Sequence, residues 1–168
     1  ALLDRLDAHE KKLRARYGRH IVCAEGCADC CSLSTLFAVE AYVLFLFIRK
    51  SGAHPKHPTQ APEAGRRPGT ADRCPLLSGD RCSVYAARPV VCRTHGYPLL
   101  IDGKLDHCPK NFTALRTIES RFILDLDAVN TALAEINIAF MKENRDRRFS
   151  RVRTGIEDLL HMLRTRGV

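Results

Sequence analysis

The stretch Cys23-Ala-Glu-Gly-Cys27-Ala-Asp-Cys30-Cys31 places four thiols in nine residues, the last two adjacent. Spacings such as Cys27-x-x-Cys30 let two thiolates converge on one ion without strain, as in zinc and iron–sulfur sites. Gly26 and the density of cysteines predict a loop folded around a ligand rather than a helix or strand. Neighbouring side chains diverge, so Cys30 and Cys31 are expected to serve different metals, or one of them to stand behind the other's ligand shell.

Working outward, the chain carries four more cysteines, Cys74, Cys82, Cys92 and Cys108. Two groups of four match two tetrathiolate sites or one larger polynuclear site, and we expect the two groups to be interleaved in space. Eight cysteines without a secretory signal favour metal or redox chemistry over a disulfide framework. Four disulfides, and one or two cysteines packed as small hydrophobes, are the competing structural readings. The spacing Cys23-x3-Cys27-x2-Cys30 is also that of radical S-adenosylmethionine enzymes. Against that, Asp29 stands where those enzymes place an aromatic, the chain is short for their barrel, and strand–helix alternation is missing.

The bulk numbers agree with a globular protein. The chain has 168 residues, 45% hydrophobic and 27% charged, a length that suits one domain and buries a sizeable core without disulfides. We read residues 1–168 as a single cysteine-cluster domain. The formal charge of +8 would fall to roughly +4 if eight thiolates held two divalent ions, so basicity is weak evidence for nucleic acid. No stretch reaches the roughly 18 apolar residues of a membrane span. The N-terminal "ALLDRLDAHEKK" has charges throughout and no apolar signal-peptide core, which makes the cytoplasm the default compartment.

Helices frame the cysteine region, giving a mostly α fold with a loop and short-hairpin metal-binding region inserted between helices. Residues 1–17 read as an amphipathic helix with Leu2, Leu3, Leu6, Leu13 and Tyr17 on one face, ended by Gly18. Ser34 or Thr35 is placed to cap a second helix running to about Lys50. Its run "LFAVEAYVLFLFI", Leu36 to Ile48, is hydrophobic nearly all round and reads as a buried central helix. Glu40 within it is expected to be a helix-end carboxylate paired with an Arg. Residues 51–73 hold four prolines and three glycines and read as a flexible loop, in which His54 and His57 are expected to be solvated. "SGD" at 78–80 and "DGK" at 102–104 signal turns of two short hairpins or irregular loops. C-terminal helices occupy 111–168. Phe122, Leu126, Val129, Leu133, Ile136 and Phe140 form one helical stripe, by default core and otherwise a seam between protomers. A last helix over about Ser150 to Arg166 should turn Val152, Ile156, Leu159, Leu160 and Leu163 inward. The Arg-rich stretch before it, "KENRDRRFSRVR", is ordinarily solvated, with an acidic-protein or nucleic-acid partner as the minority reading.

Residues 74–98, "CPLLSGDRCSVYAARPVVCRTHGYP", make a resemblance specific. The pattern CxxxCxxCC followed by CPLLxxxxCSVYxxRPxxCR is similar to the YkgJ-like cysteine-cluster family, described as a zinc- or iron-chelating CxxCxxCC domain. The likeness runs from Cys23 to Cys108; the family's name has two residues in the first gap where this chain has three. It implies metal ligands at Cys23, Cys27, Cys30, Cys31, Cys74, Cys82, Cys92 and Cys108. It also implies kinship with flagellin lysine N-methylases, although no G-x-G-x-x-G loop for S-adenosylmethionine is present. Arg88 and Arg93 flank Cys92 and are placed to neutralise a thiolate-rich cluster. His95 and His107 are the best non-cysteine ligand candidates and are expected in outer-shell or surface roles. Pro75 and Pro89 stiffen the loops, and Tyr85 is expected to pack beneath them. All-thiolate ligation selects zinc or iron–sulfur over calcium or magnesium, and the crowded vicinal thiols lean to iron–sulfur. Closed thiolate sites are structural or electron-carrying, since catalysis needs an open position. Three functions follow: an iron–sulfur or zinc protein handling electrons or metal, a lysine-methylase-like enzyme, and a zinc-stabilised interaction module.

Overall fold

A computed structural model describes residues 1–32, 35–52 and 73–165. In chain order the elements are α1 (Leu2–Tyr17), β1 (Thr35–Phe37), α2 (Ala38–Ser51), β2 (Leu77–Ser78), β3 (Arg81–Cys82) and α3 (Val90–Thr94). There follow β4 (Leu99–Ile101), β5 (Lys104–Asp106), β6 (Leu124–Asp125), α4 (Leu126–Glu143), β7 (Arg153–Gly155) and α5 (Ile156–Arg164). Helix dominates, and the strands are two or three residues long. The residues gather into two compact units: Ala1–Ala24 with Pro89–Ile136, and Glu25–Arg88 with the chain from Asn137 onward. Ser34, His54, His57, Arg166 and the Pro/Gly-rich stretch between residues 53 and 72 lie outside the described residues.

In the first unit, α1 buries Leu6, Leu13 and Tyr17, while Leu2 and Leu3 on the same face stay half-buried. Gly18 does not stop the helix by a left-handed turn; it keeps right-handed geometry and opens a tighter 3-10 turn over Gly18–His20. Leu13, Tyr17, Ile21, Tyr97, Phe112 and Phe122 form the core. The Tyr17 ring meets Phe112 and Phe122 edge-on at 6.1 and 5.3 Å, the geometry aromatic quadrupoles favour. The expected "DGK" turn is a two-residue hairpin loop joining β4 to antiparallel β5. Asp102 and Gly103 both have positive φ, 48° and 72°, the requirement of a type I′ turn that Asp-Gly meets. β6 pairs in parallel on the other edge of β4, so α4 begins at Leu126. Phe122 therefore sits in a 3-10 turn before the helix, and the single stripe expected from Phe122 to Phe140 is divided. Ile136, expected on it, is exposed.

In the second unit, β1 pairs antiparallel with β7, Leu36 opposite Thr154. That pairing corrects both helix starts. Thr35 is a strand residue rather than a cap, and α2 begins after Phe37, whose N–H donates to the Glu40 carboxylate at 3.3 Å. Glu40 is thus a helix-start acid, where it also meets the positive end of the helix dipole. At the other end, residues 153–155 are drawn into the sheet, so α5 starts at Ile156 rather than near Ser150, and Val152 is exposed instead of inward. α2 buries Ala38, Ala41, Leu44, Phe45 and Ile48 against Phe149, Ile156, Leu159 and Leu160. It is not buried all round: Val43 and Leu46 are exposed. "SGD" forms the expected tight turn between antiparallel β2 and β3.

Asn137 has no counterpart among the sequence expectations. It is 1% exposed in the middle of α4. Its Oδ1 accepts the Val39 N–H at 3.0 Å, and its Nδ2 donates to the Val152 carbonyl at 3.3 Å. Replacing it with Leu strands the Val39 N–H, while the Val152 carbonyl keeps the Ala38 N–H at 3.1 Å. Asn137→Leu is expected to cost about 1–3 kcal/mol, while Ile138→Asn on the exposed side of the same helix costs within about 0.5 kcal/mol. Urea unfolding of the two variants checks this.

Candidate metal centre

All eight cysteines are described, and all are free thiols. Each compact unit mixes both sequence groups. Cys23, Cys92 and Cys108 belong to the first unit; Cys27, Cys30, Cys31, Cys74 and Cys82 belong to the second.

In the second unit the loop Cys27–Cys31 is joined to the following cysteine block through backbone. Cys31 N–H donates to Ala28 O at 3.1 Å, and Cys74 N–H donates to Cys31 O at 2.8 Å. The turn from Cys74 closes by Leu77 N–H to Cys74 O at 3.1 Å, and the hairpin then sets Leu77 opposite Cys82. Tight turns and one short hairpin thus bring Cys31, Cys74 and Cys82 into one neighbourhood. Burial pushes the Cys31 thiol up, and the Cys74, Cys82 and Cys27 sulfurs push it the same way; a hydrogen bond with Cys30 pulls it down. Cys82 is also pushed up by burial and by Glu25, while the Val84 backbone and the Arg88 guanidinium favour its thiolate. Arg88 is itself fixed, its Nε donating to Tyr85 O at 3.0 Å and its guanidinium 3.7 Å from the centre of the Tyr85 ring.

In the first unit a half-buried polar lattice holds the backbone at Cys23. Arg14 of α1 donates to Cys23 O at 3.0 Å and to the Tyr97 hydroxyl at 2.7 Å, with its Nε on Glu10 at 2.8 Å. The Tyr97 hydroxyl donates to Glu10 at 2.7 Å, and burial together with that bond pushes its ionisation well above the tyrosine range. The Cys23 sulfur lies 3.2 Å from Asn111 Nδ2. Cys108 approaches the same place: its N–H donates to Gly96 O at 3.4 Å, and its carbonyl accepts the Asn111 N–H at 2.9 Å. Cys92 is half-buried on the short helix α3. Arg93 beside it pairs with Asp7 of α1. His95 is exposed just after α3. His107 turns its Nδ1 to the Cys108 carbonyl at 3.0 Å and stacks edge-on with Phe112.

Among the described residues, no three Cys, His, Asp or Glu side chains are gathered tightly enough to hold an ion as they stand. The donor chemistry nevertheless fits a soft metal. Thiols held partly out of water and raised by one another's charge are what a bound cation would reverse, since coordination deprotonates a thiol outright. Sequence reasoning singled out all eight thiols but missed Asn111, Arg14, Glu10 and Tyr97, because a polar residue whose partners are distant in the chain carries no motif.

A family model, CxxCxxCC, described as "Putative zinc- or iron-chelating domain", matches residues 22–111. That description supports a metal-binding role. No curated protein and no solved structure matches the chain.

Gly96 marks how closely the first unit packs on sulfur. At its φ of +90°, a Cβ would stand 2.9 Å from Cys23 Sγ and 3.5 Å from Cys108 Cβ. Gly96→Ala is therefore expected to combine backbone strain with a collision, costing about 2–3 kcal/mol. Thermal unfolding of the metal-free protein measures it.

Proposed function

The chain belongs to the CxxCxxCC family, and on that premise we propose that it chelates iron or zinc through its cysteine thiolates, in a redox or metal-handling role. The observation that carries the proposal is the neighbourhood of Cys31 with Cys74, Cys82, Cys27 and Cys30. Five thiols lie within one unit, four of them at least half-buried and Cys30 exposed, with Arg88 beside Cys82; they form a soft anionic donor set with a fixed cation in attendance. Cys23, Cys92 and Cys108 are the proposed ligands of the other unit. His95 and His107 are outer groups in this reading: one is exposed, the other is turned to a backbone carbonyl.

We prefer an iron–sulfur cluster to zinc because vicinal thiols suit a polynuclear site better than a mononuclear tetrahedron. Such a cluster supplies electron transfer, whereas zinc in closed thiolate sites supplies folding energy. The short-hairpin region around Cys82 is the proposed metal-binding insertion, and a reducing compartment such as the cytoplasm suits free thiols.

Protein purified without oxygen is expected to contain iron and to absorb broadly near about 400 nm. Zinc in colourless protein would replace the iron–sulfur preference, and neither metal above trace would overturn chelation. Cys31→Ser and Cys74→Ser are each expected to weaken metal binding by at least about tenfold, the loss that even outer partners of a ligand cause. Leu105→Ser on exposed β5 serves as the control and leaves binding unchanged.

A further inference from the structure

We propose that Asn111 is a positioning residue for Cys23: its buried side-chain amide donates a hydrogen bond to a metal-ligating Cys23 sulfur and, with Gly96, sets where that sulfur sits. The inference rests on the chelation reading above.

Asn111 is 0% exposed, so every polar atom of its side chain must be satisfied within the protein. Its Oδ1 accepts the Val22 N–H at 2.9 Å. Its Nδ2 donates to Gly96 O at 2.6 Å and to Cys23 Sγ at 3.2 Å. An amide carries two N–H groups, and these two acceptors use both. The orientation is fixed by the network: a flipped amide would set its oxygen against the Gly96 carbonyl and its nitrogen against the Val22 N–H. The donor to sulfur is thus dictated by the backbone on either side. A hydrogen bond to an ionised acceptor is about twice as strong as one between neutral groups, so this donor favours the thiolate that a metal needs.

The backbone supporting that amide is strained. Phe112 has φ of 58°, a left-handed conformation that costs a non-glycine residue on the order of 1 kcal/mol or more. It is held there because its N–H donates to His20 O at 2.7 Å and its ring is buried beside Tyr17. Gly96, also at positive φ, leaves no room for a side chain between Cys23 Sγ, Asn111 Nδ2 and Cys108 Cβ. Packing alone does not call for an amide here. A Leu of similar volume would fill the space, but it would orphan the Val22 N–H, leave Gly96 O only the longer bond from the Cys108 N–H, and offer the sulfur nothing.

The test loads the isotope-labelled full chain with a spin-half cadmium isotope and looks for scalar coupling between cadmium and a side-chain amide proton of Asn111. Such coupling crosses an N–H···S bond only if that sulfur ligates the metal. We expect it in the wild type. In parallel, Asn111→Asp keeps the acceptor for Val22 and removes the donor. Its affinity for Co2+ is expected to fall by about tenfold, with the sulfur-to-cobalt charge-transfer band moved to longer wavelength and the circular dichroism unchanged. Wild-type protein that takes up neither ion overturns chelation and the inference with it. Wild-type protein that binds cadmium without the coupling overturns the Asn111 assignment alone, whether or not the variant folds. So does an Asn111→Asp protein with unchanged affinity and band position.

Discussion

Thiols gathered out of water are awkward in either protonation state. As thiolates they repel one another and lose hydration; as thiols they leave a soft, weakly bonded surface inside the protein. In the second unit burial pushes the Cys31 thiol up, and three other sulfurs push it the same way. What holds such a set together is backbone, above all the Cys74 N–H donated to Cys31 O at 2.8 Å. That bond ties the Cys27–Cys31 loop directly to the second cysteine group.

The same constraint explains how the arginines are used. A formal charge of +8 invites a search for a basic surface, yet many of the guanidinium groups are engaged inside their own unit. Arg88 lies over Tyr85 near Cys82, Arg14 holds the Cys23 carbonyl, and Arg93 pairs with Asp7. Arg148 pairs with Asp146 and stacks 4.5 Å from the centre of the Phe45 ring, while Arg153 donates to Thr35 Oγ1 at 3.0 Å. Part of the basicity is thus structural, and the formal charge alone does not point to a nucleic-acid or acidic partner.

Periodicity and turn chemistry were legible. The face of α1, the existence of α2, the core residues of α5, the Asp-Gly turn and the thiol loop can all be read from local pattern, whereas which side of α2 is buried cannot. The pairing of β1 with β7 cannot. Each strand is three residues long and the two lie more than a hundred positions apart, with no alternation long enough to register. That one omission moved both helix starts and turned Val152 outward. Buried polar residues were invisible for a different reason: an asparagine is ordinarily a surface or turn residue, and only its surroundings reveal that it is a core component. Arg93 reads as a counter-charge to its neighbour Cys92, and its pairing with Asp7 of α1 carried no local signal.

Asn111 and Asn137 show why such residues repay close comparison. Each lies in a different unit and is almost wholly buried. Each accepts one backbone N–H through Oδ1, from Val22 and from Val39, and donates through Nδ2 to a carbonyl, of Gly96 and of Val152. Each also points its second N–H toward sulfur. In Asn137 that sulfur is the Met141 thioether at 3.5 Å, which carries no proton to lose and is only a weak acceptor. In Asn111 it is the Cys23 thiol at 3.2 Å, a group that has a proton to lose and that, on the chelation proposal, becomes an anion. One buried-amide device thus closes both cores, and its chemical meaning is set by the atom at its end. Where that atom is a thioether, the amide is part of the packing. Where it is an ionisable thiol within a chelating family's matched residues, the amide's last hydrogen bond grows stronger when the thiol ionises.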